Sequence, residues 1–195
     1  MLSDYLYSLK DFHFFFNLFN YISFRAGLAL VSSLFIVLLI MPYWIKFQLK
    51  SFPSGQPIRE DGPSSHLSKE GTPTFGGVLI IISIILSTLI WTSDFSKYNY
   101  IIISSLILFG TIGFYDDLHK VKYKKGISFK NKIIYQIIAT VILYLLISYN
   151  DFNLNNLFIP FLKDVSIELG LFYFLLILFI IIGSTNATNL DRKSV

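Results

Sequence analysis

The chain has 195 residues, 54% hydrophobic and only 14% charged, and its apolar residues come in blocks instead of the mixed pattern of a soluble domain. A net charge of +4 without zinc-finger spacing or an RNA-binding motif argues against a nucleic-acid partner, and the lack of cysteine excludes disulfides and thiolate metal sites. These features predict an all-α polytopic membrane protein with about five transmembrane helices.

The first residues carry Asp4 and Asp11 against Lys10, with no positive region before the aromatic run, which argues against a cleaved signal peptide. The stretch FHFFFNLFNYISF that follows either extends the first helix or lies along the outer interface. Spans are predicted at 26–45, 76–92, 99–115, 133–148 and 169–183. Several are shorter than the roughly 20 residues that cross a bilayer, but Tyr and Trp at their margins extend them into the interface. None alternates polar and apolar residues as membrane strands do.

The loop between the first two spans is 46–75, and FPSGQPIREDGPSSHLSKEGTPTFGG runs over 52–77, from that loop into the start of the second span. Pro63 and Pro73 restrict φ, Gly62 and Gly71 tolerate positive φ, and Gly76 and Gly77 permit close approach where the second helix begins. Such a loop can hold Arg59, His66, Lys69, Thr72 and Thr74 against an anionic ligand, although a plain solvated linker uses the same turn residues.

The third span ends on GTIGFYDDLHK, with Asp116 and Asp117 side by side. A carboxylate carried toward hydrocarbon costs about 2.5 to 3.5 kcal/mol, and a helix C-terminus disfavours anions by some tenths more. Lys120, at i+4 and i+3 from the pair, reaches back if the helix continues that far. A divalent cation compensates more completely, and Mg2+ suits oxygen ligands, taking one or two carboxylates plus substrate phosphates. The plainer alternative is that the pair holds only the first polar residues past the membrane. His119 can cap the helix or bind phosphate. Lys120, Lys122, Lys124, Lys125 and Lys130 read mainly as topological anchors, and the same reading competes for Lys132, just before the fourth helix. Asn186, just past Gly183, reads as a C-terminal cap.

The lysines and arginines alternate along the chain. The 46–75 loop has four, the 116–132 loop six and the tail two, against two before the first span, one at Lys97 and one at Lys163. The positive-inside rule then puts the N-terminus outside, both basic loops in the cytoplasm and the C-terminus inside.

GPSSHLSKEGTPTFGG resembles a GPxxHxxKxGTPTxGG segment, GFYDDLHK resembles a first Asp-Asp motif, and GSTNATNL resembles the start of an SNAxNLTDGLDGL loop, all of the phospho-N-acetylmuramoyl-pentapeptide transferases. These belong to the larger polyprenyl-phosphate N-acetylhexosamine-1-phosphate transferase family. The resemblance corresponds to the first half of a ten-helix protein. It implies transfer of phospho-N-acetylmuramoyl-pentapeptide from a UDP-linked donor to undecaprenyl phosphate, releasing UMP, in the bacterial inner membrane with Mg2+ as cofactor. Asp116 and Asp117 are implied as catalytic, with Asp117 a metal ligand and the choice among ligand, base and nucleophile left open. Lys69, Thr74, Lys132 and Asn186 are implied to bind substrate. Membrane lipid and a second copy of the chain are further partners compatible with this reading.

After Leu190 the chain reads DRKSV where the resemblance would continue TDGLDGL, so the chain by itself is expected to be inactive. Two alternatives stand beside this one: transfer of N-acetylglucosamine-1-phosphate to a polyprenyl phosphate, and a non-catalytic membrane scaffold or transporter using the aspartates as an ion site. The latter calls for polar groups near mid-membrane. The spans offer mainly scattered Ser and Thr.

Overall fold

The computed structural model describes residues 2–52, 74–149, 156–159 and 166–194, in two compact units, Met1–Ile127 and Ser128–Val195. The first unit opens with α1 (Leu2–Ser8) and two 3-10 turns, Leu9–Asp11 and Phe14–Asn20. Of the aromatic stretch, only Ile22–Phe24 extends the first long helix, and the residues before them form a separate turn. His13 stands at the start of the second turn, where its Nδ1 accepts from the Phe15 N–H at 3.2 Å, and extended backbone at Tyr21 breaks the chain before α2 (Ile22–Ser51). Phe19 is buried, edge-on to Phe24 and stacked on Trp91 at 6.1 Å.

Helix α2 is followed by α3 (Gly76–Trp91) and α4 (Lys97–Tyr123). Two tryptophans fix α3 antiparallel to α2. Trp44 Nε1 of α2 donates to the Phe75 carbonyl at 3.3 Å, and Trp91 Nε1 of α3 donates to Ser32 Oγ at 3.1 Å. Leu79, Ser83 and Ser87, spaced by four, are the buried residues of α3. Small side chains at that spacing let helix backbones approach where hydrophobic exclusion gives no drive. Gly110 does the same for α4, since a Cβ there would lie 2.6 Å from Ile81 Cδ1.

The second unit holds α5 (Phe129–Tyr149), a two-stranded antiparallel ribbon of β1 (Asn156–Phe158) and β2 (Ser166–Glu168) with Asn156 opposite Glu168, and α6 (Phe172–Ser194). Gln136, Ala139, Thr140 and Leu143 form the buried stripe of α5.

Each predicted span falls largely on a helix. Among the described residues, α2, α4 and α5 are long and apolar enough to cross a membrane, while α3 and the 172–188 part of α6 are shorter apolar helices. The chain is an all-α polytopic membrane protein but for the ribbon. Boundaries differ from expectation by several residues: α2 and α5 each begin four residues early, α6 begins three residues late, and α2 runs to Ser51, α4 to Tyr123 and α6 to Ser194, each past its apolar stretch. Lys46 and Lys50 thus ride on α2 instead of in a loop. Asn186 lies within α6, so the cap reading fails.

Candidate functional site

Because α4 continues to Tyr123, Lys120 lies one turn beyond the aspartates on the same face. Its Nζ sits 2.7 Å from Asp116 Oδ2 and 2.8 Å from Asp117 Oδ1, bridging the two carboxylates. Asp116 is the more enclosed, its side chain 15% exposed against 34% for Asp117. Lys120 lies beyond the 99–115 apolar stretch. Burial pulls its pKa down, but hydrogen bonds to Asp116 and Asp117 and their charges more than offset this and hold it above the ordinary lysine value.

The chain then turns back on the pair. Lys124 ends α4 in the left-handed region at φ 57°, His119 Nδ1 lies 2.8 Å from the Lys125 carbonyl, and the Ile127 N–H donates to Asp116 Oδ1 at 2.9 Å. Gly126 makes this approach possible, since a Cβ there would fall 2.9 Å from Asp116 Oδ1 and 3.3 Å from Lys120 Cε. His119 therefore pins the turn. Neither Gly126 nor the Ile127 amide was legible beforehand, because the contact joins residues eleven apart across a turn with no motif.

Asp117 also lines a groove of about 480 Å³ between α3 and α4, whose other walls are apolar apart from Ser105 and include Gly77, Val78, Gly113 and Phe114. Phe75 stands at its α3 end in the left-handed region at φ 61°, buried, with its ring 5.4 Å from Phe52 and 5.3 Å from Phe114. Thr74 directly precedes it. The groove thus brings the end of the GTPTFGG segment and Asp117 to one place. Lys69, with Arg59, His66 and Thr72, lies outside the described residues.

In the second unit Lys132 is not ahead of the fourth helix but in its first turn, its N–H bonded to the Ser128 carbonyl at 3.0 Å. Gln136 follows one turn later on the same face and is buried. Its Oε1 accepts from Asn186 Nδ2 at 2.8 Å, and Asn186 Nδ2 also donates to the Ile182 carbonyl at 2.8 Å. Gln136 went unnoticed in the sequence, where a lone amide in an apolar run carries no motif.

Residues 98–191 match the family described as glycosyl transferase family 4, a stretch that includes Asp116, Asp117, Lys132 and Asn186. The chain is similar to the phospho-N-acetylmuramoyl-pentapeptide-transferase of Rickettsia prowazekii (strain Madrid E), 46% identical over 177 residues that cover 89% of this chain and 49% of the relative. Proteins of the same name from Rickettsia felis and Rickettsia canadensis are 45% identical over the same shares. The chain spans about half the length of the curated relatives it matches.

Proposed function

From this partial match to the phospho-N-acetylmuramoyl-pentapeptide transferases, we propose that the chain contributes to an enzyme joining UDP-linked muramoyl-pentapeptide to undecaprenyl phosphate. A phosphate oxygen of the acceptor attacks the sugar-bearing phosphorus of the donor. The bond from that phosphorus to UMP breaks, UMP leaves, and a lipid-linked diphosphate remains.

The observation that carries this reading is the position of Asp117, at once bound to Lys120 and on the wall of an apolar groove. A lipid phosphate has both needs: a greasy path for its chain and polar groups of controlled charge at its head. Carboxylate oxygens 2.7 and 2.8 Å from one ammonium form a donor pair suited to a hard cation. Among the described residues no third His, Cys, Asp or Glu joins them, so substrate oxygens and water would complete the shell. Asp116 and Asp117 would hold Mg2+, which when bound orients the diphosphate and offsets the charge developing on UMP.

The remaining assignments rest on the resemblance of the motifs. Lys69 and Lys132 offset donor phosphate charge, and Thr74 supplies a hydroxyl. Asn186 offers Oδ1 as an acceptor, its Nδ2 being committed to Gln136 and Ile182. The lysine and arginine distribution supports an outside N-terminus and a site on the cytoplasmic face, and the bacterial relatives support placing it in a bacterial inner membrane.

The test is a chimera in which this chain replaces the matched half of the Rickettsia prowazekii relative. Supplied with undecaprenyl phosphate and Mg2+, it should release UMP from UDP-muramoyl-pentapeptide and leave UDP-N-acetylglucosamine untouched. The opposite donor preference would establish the sister reaction instead.

A further inference from the structure

The Lys120 ammonium occupies the point on which the two carboxylates converge, and Asp116 has little freedom to meet a cation elsewhere. Its Oδ1 is held by the Ile127 amide under Gly126, and its Oδ2 is the atom that Lys120 contacts. Asp117 presents Oδ1 to the same ammonium. A divalent cation drawing on both carboxylates therefore meets Lys120 in its place.

We propose that Lys120 is a resident counter-cation that a divalent cation displaces, so that metal binding frees its ammonium to move toward a substrate phosphate. This rests on the reading above that the aspartates hold Mg2+. Exchange for a divalent ion puts two positive charges in place of one between the carboxylates and releases the ammonium beside the groove. The lysine thus keeps the pair compact and couples cation arrival to a new phosphate contact. Its four-carbon stem can swing through several ångströms about the helix face, as a guanidinium fork locked on two carboxylates would not.

The experiment titrates the chain in detergent micelles with Mn2+ as the probe, reading free ion by electron paramagnetic resonance. Variants are Lys120→Gln, Lys120→Arg, Lys122→Gln and Asp117→Asn, with helical circular dichroism confirming that each remains folded. Displacement predicts that Lys120→Gln binds Mn2+ at least about tenfold more tightly than the parent, the scale on which a close charge shifts an ionic equilibrium. The gain should persist in 0.5 M KCl (roughly a 4 Å screening length), because contact competition is not screened as distant repulsion is. Lys120→Arg and Lys122→Gln should show no such gain. Asp117→Asn should weaken binding. If Mn2+ binds in an Asp117-dependent way but Lys120→Gln gives no salt-resistant gain, the displacement inference is overturned while the metal reading stands. If neither parent nor Lys120→Gln binds Mn2+, both are overturned.

Discussion

At the scale of single residues, the acidic pair is held by contacts of unequal legibility. Lys120 could be foreseen from helical spacing alone, since i+3 and i+4 fall on one face wherever the helix persists. Gly126 could not, because its role is set by a turn whose closure depends on left-handed backbone at Lys124, a conformation that lysine seldom takes. Gly126→Ala should push Asp116 off the Ile127 amide and cost about 1.5 to 3 kcal/mol, the range for a hydrogen bond to a charged group. Hydrogen exchange at Ile127 checks this: its amide should lose protection in Gly126→Ala, and protection kept at parent level would refute the contact. Lys124→Gly should do the reverse and raise stability by about 0.5 to 1 kcal/mol, read as a higher thermal midpoint. The Lys120 clamp also has a pH signature. Its pKa is raised by folding, so its contribution is fully present below the ordinary lysine value of 10.5 and is lost only as pH climbs through the higher folded value. The stability difference between the parent and Lys120→Met should stay constant from pH 6 to 9 and shrink at more alkaline pH.

At the scale of elements, hydropathy located the helices but not their ends. The apolar stretch marks the part that matches hydrocarbon thickness, whereas α2, α4 and α6 go on into polar sequence, because helical hydrogen bonding does not need a lipid surrounding. That is why Lys46, Asp116, Asp117 and Asn186, read as loop or cap residues, sit on helices. Pairing between helices was less legible still, since it rests on single side chains such as Trp44, Trp91 and Gln136 scattered through greasy runs. Replacing Gln136 by Leu removes the bond to Asn186 and leaves that amide with the Ile182 carbonyl alone. The expected loss is about 0.6 to 1 kcal/mol, typical of polar contacts between membrane helices. A denaturant titration in mixed micelles reads it, and no change would mean that the pair contributes nothing to joining α5 and α6.

At the scale of the whole molecule, the charge asymmetry of the connecting segments makes a topological prediction. Cysteines introduced singly at Ser54, Ser96, Ser128 and Ser166 should divide into two classes in intact cells, with 96 and 166 reacting with an impermeant thiol reagent and 54 and 128 protected. The reverse pattern would place the aspartates outside, away from any cytoplasmic nucleotide donor. The reading as part of a transferase then stands on Asp117. Groups that meet the charge of a transition state are worth about 2.7 to 4 kcal/mol each, roughly a hundred- to a thousand-fold in rate. The most direct measurement follows label from UDP-muramoyl-pentapeptide into the lipid phase, using the chimera with the Rickettsia prowazekii relative in its parent and Asp117→Asn forms, both inserted and folded. The parent should label lipid in the presence of Mg2+ and Asp117→Asn should fall by about a hundred- to a thousand-fold, whereas equal labelling by the two forms would contradict the assignment of Asp117 to the reaction.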